Sequence, residues 1–257
     1  MAPDLALALA LADIADGLTM PSSRRSGLVV ETKKDRTLVS EVDRLVEAAL
    51  RDALGEQRPG DAVVGEEGGE SGSGRRRWII DPIDGTANFV SGVPVWATLI
   101  ALELDGEVNL GVASSPVLSR RWWAERGGGA FVSRAGGPAE RMRVSSVASL
   151  AEASVSSGSV RDFKRPEAFL EVARRAGRDR GFGDFWQHML VAEGALEAAV
   201  EPVCSLWDVA ALQVIVEESG GKFTDFSGER RLGTGNALSS NGLVHDELVG
   251  VLLGAGS

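Results

Sequence analysis

The chain is poor in the residues that many catalytic chemistries need. One cysteine, Cys204, stands among 257 residues. No intrachain disulfide can therefore form, and a reducing compartment is expected. Tyrosine is absent and histidine occurs only as His188 and His245, which argues against a histidine-rich transition-metal site. Basic charge is short as well: 27 Lys and Arg against 37 Asp and Glu leave a net charge of −10, the wrong sign for gripping a nucleic-acid backbone. No run of about eighteen apolar residues occurs, so no membrane span is expected. Met1-Ala2-Pro3-Asp4 lacks the basic start of a secretion signal, and the apolar stretch after it is broken by Asp13 and Asp16. A cytoplasmic protein with neither a nucleic-acid nor a membrane partner is the expectation. What remains is a soluble globular composition, 44% hydrophobic and 25% charged, long enough for one large domain or two modest ones.

Against that background one stretch stands out: Trp78-Ile79-Ile80-Asp81-Pro82-Ile83-Asp84-Gly85-Thr86-Ala87-Asn88-Phe89. The short apolar run Trp78 to Ile80 reads as a buried strand stopping at an acid beside Pro82. Asp81 and Asp84 are spaced to hold hard cations, which prefer carboxylate, carbonyl and water oxygens. Gly85 lets a ligand approach the backbone closely, and the amides of Gly85 and Thr86 would open a helix facing an anion. Cation ligands beside an anion cradle suggest phosphate chemistry. Bound cations would also reconcile an acidic protein with an anionic substrate. An ordinary Asp-Gly turn is the plainer alternative.

Along the chain, residues 4–19 pattern as a helix with Leu7, Leu11, Ile14 and Leu18 on one stripe. A polar turn at 21–27, a strand at Leu28–Glu31 and a charged loop at 32–37 follow. Ser40-Glu41-Val42-Asp43 has the form of a capping box, opening a helix to about Leu54 with Val42, Val46, Ala49 and Ala53 inward. Taken alone, Asp43 is a cap. Ala62–Gly65 reads as a buried strand ending in the adjacent acids Glu66 and Glu67, which repel unless solvated or neutralised. Residues 68–74 read as a flexible Gly/Ser loop, and Arg75–Arg77 as a solvated edge. Strands are expected at 95–104, 109–114 and 121–125, with Trp122 and Trp123 as sheet packing. Beyond a strand near 141–144 the pattern turns to βα: strands near 154–157, 198–201, 222–225 and 237–240, and helices near 166–176, 184–195, 206–219 and 245–253. Residues 1–140 are thus expected as an N-terminal α+β subdomain with an antiparallel sheet, and 141–257 as a C-terminal α/β subdomain, with the site between them.

Three motifs in order, Gly65-Glu66-Glu67, the Trp78–Phe89 stretch and Trp207-Asp208-Val209-Ala210-Ala211, with Gly220-Gly221 after the last, resemble the inositol monophosphatase family of magnesium-dependent phosphomonoesterases over nearly the whole chain. The resemblance implies an α/β (α+β) five-layered αβαβα sandwich and a homodimer. It places Glu66, Asp81 and the Ile83 carbonyl on one Mg2+, and Asp81, Asp84 and Asp208 on a second. A weaker third ion leans on Glu66, and Mn2+ is able to substitute. Asp43 and Thr86 would polarise the attacking water, with Glu67 and Lys33 in support, and the Gly85 and Thr86 amides would bind phosphate. The family's usual Ser/Thr-Pro-Val-Thr-x-x-Asp is here Thr37-Leu38-Val39-Ser40-Glu41-Val42-Asp43, which leaves the 32–38 loop and Lys33 less constrained. Ala87 stands where many members carry Lys or Thr.

Within the family, Gly183-Asp184-Phe185 with Leu190-Val191-Ala192-Glu193-Gly194 is similar to histidinol-phosphate phosphatases, and segments around 92–97, 120–124 and 241–247 to their actinobacterial type. Asp184 and Glu201 would suit the ammonium and imidazole of that small phosphorylated substrate, whereas inositol offers only neutral hydroxyls. Asp84 and Asp208 would border the same pocket. Asp184 is alternatively an N-cap of the helix behind it. Inositol 1-phosphate hydrolysis is the second reading, and a non-catalytic, metal-stabilised partner protein a third.

Overall fold

A computed structural model describes residues 3–23, 27–32 and 38–254. Helices α1 (Pro3–Ser22) and α2 (Glu41–Gln57) pack against one another, with a two-stranded ribbon, β1 (Val30–Thr32) and β2 (Leu38–Ser40), running into α2. Next come β3 (Ala62–Gly65), β4 (Gly69–Ser71), β5 (Arg76–Asp84), the short helix α3 (Thr86–Ser91), β6 (Ala97–Leu104), β7 (Glu107–Ser115), β8 (Arg120–Glu125), β9 (Gly129–Arg134) and β10 (Glu140–Arg141). These strands form one sheet in the order β10-β9-β8-β7-β6-β5-β3-β4, antiparallel except where β3 runs parallel to β5. The rest of the chain supplies β11 (Ser154–Ser157), α4 (Pro166–Arg175), β12 (Arg178–Asp179), α5 (Asp184–Ala192), β13 (Ala198–Glu201), α6 (Leu206–Glu218), β14 (Lys222–Thr224), β15 (Ala237–Ser240) and α7 (His245–Leu253). Its five strands order as β12-β11-β13-β15-β14.

Helices α1 and α2 cover one face of the large sheet, α5 and α6 lie between the two sheets, and α4 and α7 cover the outer face of the small one. This is the αβαβα sandwich. Its central layer explains why α6 is buried continuously from Val209 to Val216, since a helix between two sheets has no solvent side. Small residues make room for it. Ala101, Gly111, Ala124 and Ala130 stand side by side across β6 to β9. A Cβ on Gly111 would lie 2.4 Å from the Ala211 carbonyl oxygen and 2.7 Å from Val214 Cγ1.

Helix α1 is long and apolar enough to cross a membrane by length and composition alone. Here Leu5, Ala8, Leu11, Ala12 and Ala15 are buried among α2 and the large sheet, and Asp13 and Asp16 pair with Arg121. Arg75, Arg76 and Arg77 pin the start of β5 through Asp105, Asp61 with Asp4, and Glu103. Three expectations change. Part of the 68–74 loop is the edge strand β4. The buried stripe of α2 is Val42, Val46, Leu50 and Leu54, with Ala49 and Ala53 only half-buried. The strand expected near 141–144 reduces to Glu140–Arg141. Replacing Gly111 by alanine should destabilise the protein by about 1–3 kcal/mol through overpacking against α6. Urea unfolding checks this, and an unchanged midpoint would contradict the close packing.

Candidate metal centre

Along a regular strand, residues three apart point to opposite faces, so Asp81 and Asp84 should diverge. The strand does not stop at Asp81, as its sequence suggests, but runs on to Asp84 through an irregularity. Asp81 pairs with Leu99 and Asp84 with Ala97, so two residues of β5 oppose the single Thr98. Pro82 cannot donate to the ladder and sits in this bulge, while its carbonyl accepts from the Thr98 hydroxyl at 2.8 Å. The extra residue returns Asp84 to the side of Asp81. Their carboxylates and that of Asp208 offer oxygens within 4.8 Å of one another.

Asp208 arrives from the other half of the chain, at the third position of α6. Its Oδ2 accepts from the Ser205 amide at 2.7 Å in a capping box. Asp43 belongs to the same construction at the start of α2: it is the cap its sequence predicts, and it also meets Thr86. Oδ2 takes the Ser40 amide at 2.8 Å and the Ser40 hydroxyl, while Oδ1 accepts from Thr86 Oγ1 at 2.9 Å. Thr86 Oγ1 also lies 3.0 Å from the Ile83 carbonyl. Gly85, at φ +83°, is the N-cap of α3, a conformation that favours glycine. A Cβ there would meet the Val95 carbonyl at 2.9 Å. Glu66 and Glu67 occupy the turn between β3 and β4, both half-buried. Lys33 lies outside the described residues.

Asp184 is not the cap of α5. Gly183 holds that position, and Asp184, at φ +54°, turns its side chain to Asn88, whose Nδ2 donates at 3.0 Å. The first amides of α5 go to acids from elsewhere: Phe185 N donates to Asp84 at 2.6 Å, and Asp184 N donates to Glu201. Glu201 also accepts from Gln187 Nε2 at 2.6 Å. Asn88, Gln187 and His188 were given no role from sequence. Asn88 stood inside the strongest motif and Gln187 one turn beyond Asp184, but only the fold shows what they touch. His188 Nδ1 bonds Ser239 Oγ at 2.8 Å, and burial holds its ring down to about 3, so it stays neutral.

Asp84, Asp184, His188, Glu201, Val203, Cys204 and Asp208 enclose much of a cavity of about 40 Å³. A wider groove of about 610 Å³ between α1 and the β7–β8 edge shares none of these residues. Burial first, and then the charges of Glu66, Asp84, Asp208 and Asp43, push Asp81 well above the usual carboxylate range. Burial followed by Asp184, Asp208 and Glu201 raises Asp84 despite the Phe185 amide. Asp184 is lifted to about 6 by burial and by Asp208. Burial and the neighbouring acids also push the Cys204 thiol upward, so it is no nucleophile. Asp81 Oδ1 is buried without a hydrogen-bond partner. An orphaned carboxylate oxygen amid like charges fits a hard divalent cation.

A five-layered αβαβα sandwich with such an acid cluster beside a helix start fits a centre for cation-assisted phosphate chemistry. The chain belongs to the inositol monophosphatase family, which it matches over residues 2–253. It is 50% identical over 250 residues, 96% of each chain, to a histidinol-phosphatase of Mycobacterium tuberculosis. It is 48% identical over 256 residues, 97% of this chain and 96% of the other, to a histidinol-phosphatase of Streptomyces coelicolor. The solved Thermotoga maritima IMPase superposes with a TM-score of 0.89 at 36% identity over 98% of both chains.

Raised carboxylates bind protons more readily folded than unfolded, so their contribution to stability is lost as pH rises through the folded pKa. The stability that Asp184 lends the metal-free protein should therefore grow as pH falls through about 6, opposed by protonation of His188 and His245 in the unfolded chain. The rise in Tm produced by Mg2+ should shrink over the same window. Calorimetry with and without chelator checks this, and a pH-independent Mg2+ effect would contradict it.

Proposed function

We propose that the protein hydrolyses L-histidinol phosphate to L-histidinol and phosphate, a phosphomonoesterase step of histidine biosynthesis. The observation that carries this reading is the meeting of Asp184 and Glu201 with Asp84 and Asp208 around one cavity, the last two sharing a carboxylate cluster with Asp81. It joins a substrate-recognising pair of acids to a cation-binding trio. Glu66, Asp81, Asp84, Asp208 and the Ile83 carbonyl would hold two to three Mg2+ ions, or Mn2+ in their place. Such ions, when bound, polarise the phosphoryl oxygens and lower the pKa of a water.

The chain's own residues do the rest. Thr86 gives its hydroxyl proton to Asp43 and so can accept an O–H from the water that attacks phosphorus. Burial raises Asp43, which makes it a better proton acceptor than an exposed acid. Glu67, in the adjacent turn, supports that water. The Gly85 and Thr86 amides, in the first turn of α3, are left by the helix for phosphate oxygens. Asn88 anchors Asp184 against the Val95 carbonyl, so the acid meets the leaving alcohol at a fixed position. Asp184 and Glu201 are half-buried, raised acids that a ligand ammonium or imidazolium would neutralise. Inositol 1-phosphate is the second reading, favoured by Glu201 and Gln187, which can also bond neutral hydroxyls.

The enzyme is read as a homodimer working in a reducing cytoplasm, in keeping with its free buried cysteine. Its two subdomains are taken as residues 1–140 and 141–257, close to where the large sheet ends at Arg141. Asp84→Asn should lower kcat by at least about 100-fold, and near-normal turnover would refute its place in the trio. Asp184→Ala should raise KM for histidinol phosphate about tenfold or more, through loss of a charge-assisted contact, and change that for inositol 1-phosphate much less. Equal effects on the two esters would remove the specificity assignment.

A further inference from the structure

Glu47 is a buried acid for which neither the sequence motifs nor the mechanism gives a use. It sits one turn beyond Asp43 on the same face of α2 and is 2% exposed. Its Oε2 accepts from the Glu67 amide at 2.7 Å, and its Oε1 from the Gly68 amide at 2.7 Å and from Arg51 Nε at 2.8 Å. Arg51 carries the clamp outward, donating to the Gly69 carbonyl and, at 2.9 Å, to Ser71 Oγ. The consecutive amides of the turn thus cradle a carboxylate as a backbone nest cradles an anion.

The glycines on either side of Glu66-Glu67 follow from the same carboxylate. A Cβ on Gly65 would lie 2.4 Å from Glu47 Oε1, and one on Gly68 2.7 Å from it. Neither residue has a positive φ, so a side chain at either would not strain the backbone but would press the Glu47 carboxylate out of its place. Gly65 and Gly69 pair across β3 and β4, which leaves Glu66, Glu67 and Gly68 as the whole of the turn. This is the segment whose Glu66 charge reaches Asp81. Without the clamp, two adjacent acids facing a negative cluster would be driven outward by repulsion.

We propose that Glu47 is a positioning residue that, with Arg51, holds the Glu66–Glu67 turn against α2 so that these acids face the cation centre. The inference rests on the reading of Glu66 as a cation ligand. One rigid helix then sets two parts of the site: Asp43 with its threonine, and one turn later the hairpin that brings Glu66. A glutamine at 47 keeps the shape but turns an NH2 group toward donors that need an acceptor.

Mn2+ titration calorimetry on metal-free protein, with Mg2+ activation kinetics, tests this on Glu47→Gln, Gly68→Ala, Glu66→Gln and the control Leu54→Ala, a core truncation in the same helix. Glu47→Gln and Gly68→Ala should weaken Mn2+ binding and raise the Mg2+ needed for half-activation about 10- to 100-fold, with KM for the ester changed less than about twofold. Leu54→Ala should lose thermal stability with metal affinity unchanged, which separates positioning from general destabilisation. Wild-type metal affinity in Glu47→Gln alongside a weakened Glu66→Gln would overturn the inference. Wild-type affinity in Glu66→Gln would instead remove the ligand reading, and the inference with it. Should Glu47→Gln fail to fold, Gly68→Ala decides, because it presses on the same carboxylate from the turn.

Discussion

Mutual repulsion among buried carboxylates is the constraint around which the fold is built. Asp81 and Asp84 are buried, with Asp208 beside them, Glu66 and Asp43 near enough to raise Asp81, and Asp184 and Glu201 near enough to raise Asp84. Left to themselves such groups would separate or take up protons. Each instead issues from a packed element: a bulged central strand, the end of a strand in the small sheet, the first turn of a helix, or a hairpin clamped from behind. Tension at the site is therefore stored in the scaffold, and a divalent cation is the kind of group that would relieve it.

Helix starts do much of the holding. Asp43 and Asp208 each close a capping box on their own helix, and Asp84 and Glu201 take amides from the start of α5. The positive end of a helix favours negative charge there. One carboxylate can thus spend an oxygen on structure and leave the other for chemistry, as Asp43 does between Ser40 and Thr86. The small-residue lane of Ala101, Gly111, Ala124 and Ala130 serves the same end by letting α6 settle onto the sheet. Under the proposed reading specificity is a second layer: Asn88 reaches from α3 to Asp184, and would couple the acid that meets the alcohol to the loop that meets the phosphate.

Much of this was legible in the sequence because the side chains of the candidate site are local features of short motifs. The stretch from Trp78 to Phe89, the capping box at Ser40 and the Trp207-Asp208 helix start each announced an element and an acid at once. The bulge at Pro82 was not legible, since alternation is broken by pairing with Thr98, a residue on another strand. Asp184 read equally well as a cap, and only its left-handed backbone and contact with Asn88 separate the two uses. Glu47 and Arg51 look like an ordinary i,i+4 surface pair. Their role depends on amides twenty residues away that no periodicity reveals. Short edges such as β4 and β12 carry too few residues for a pattern.

The claim on which everything rests is that Asp81, Asp84 and Asp208 share a divalent cation, and locating the ion tests it most directly. Anomalous diffraction from crystals soaked in Mn2+ should place a peak among these three carboxylates, within bonding distance of Asp81 Oδ1. Mn2+ bound only elsewhere, with Asp81 Oδ1 still lacking a partner, would contradict the account.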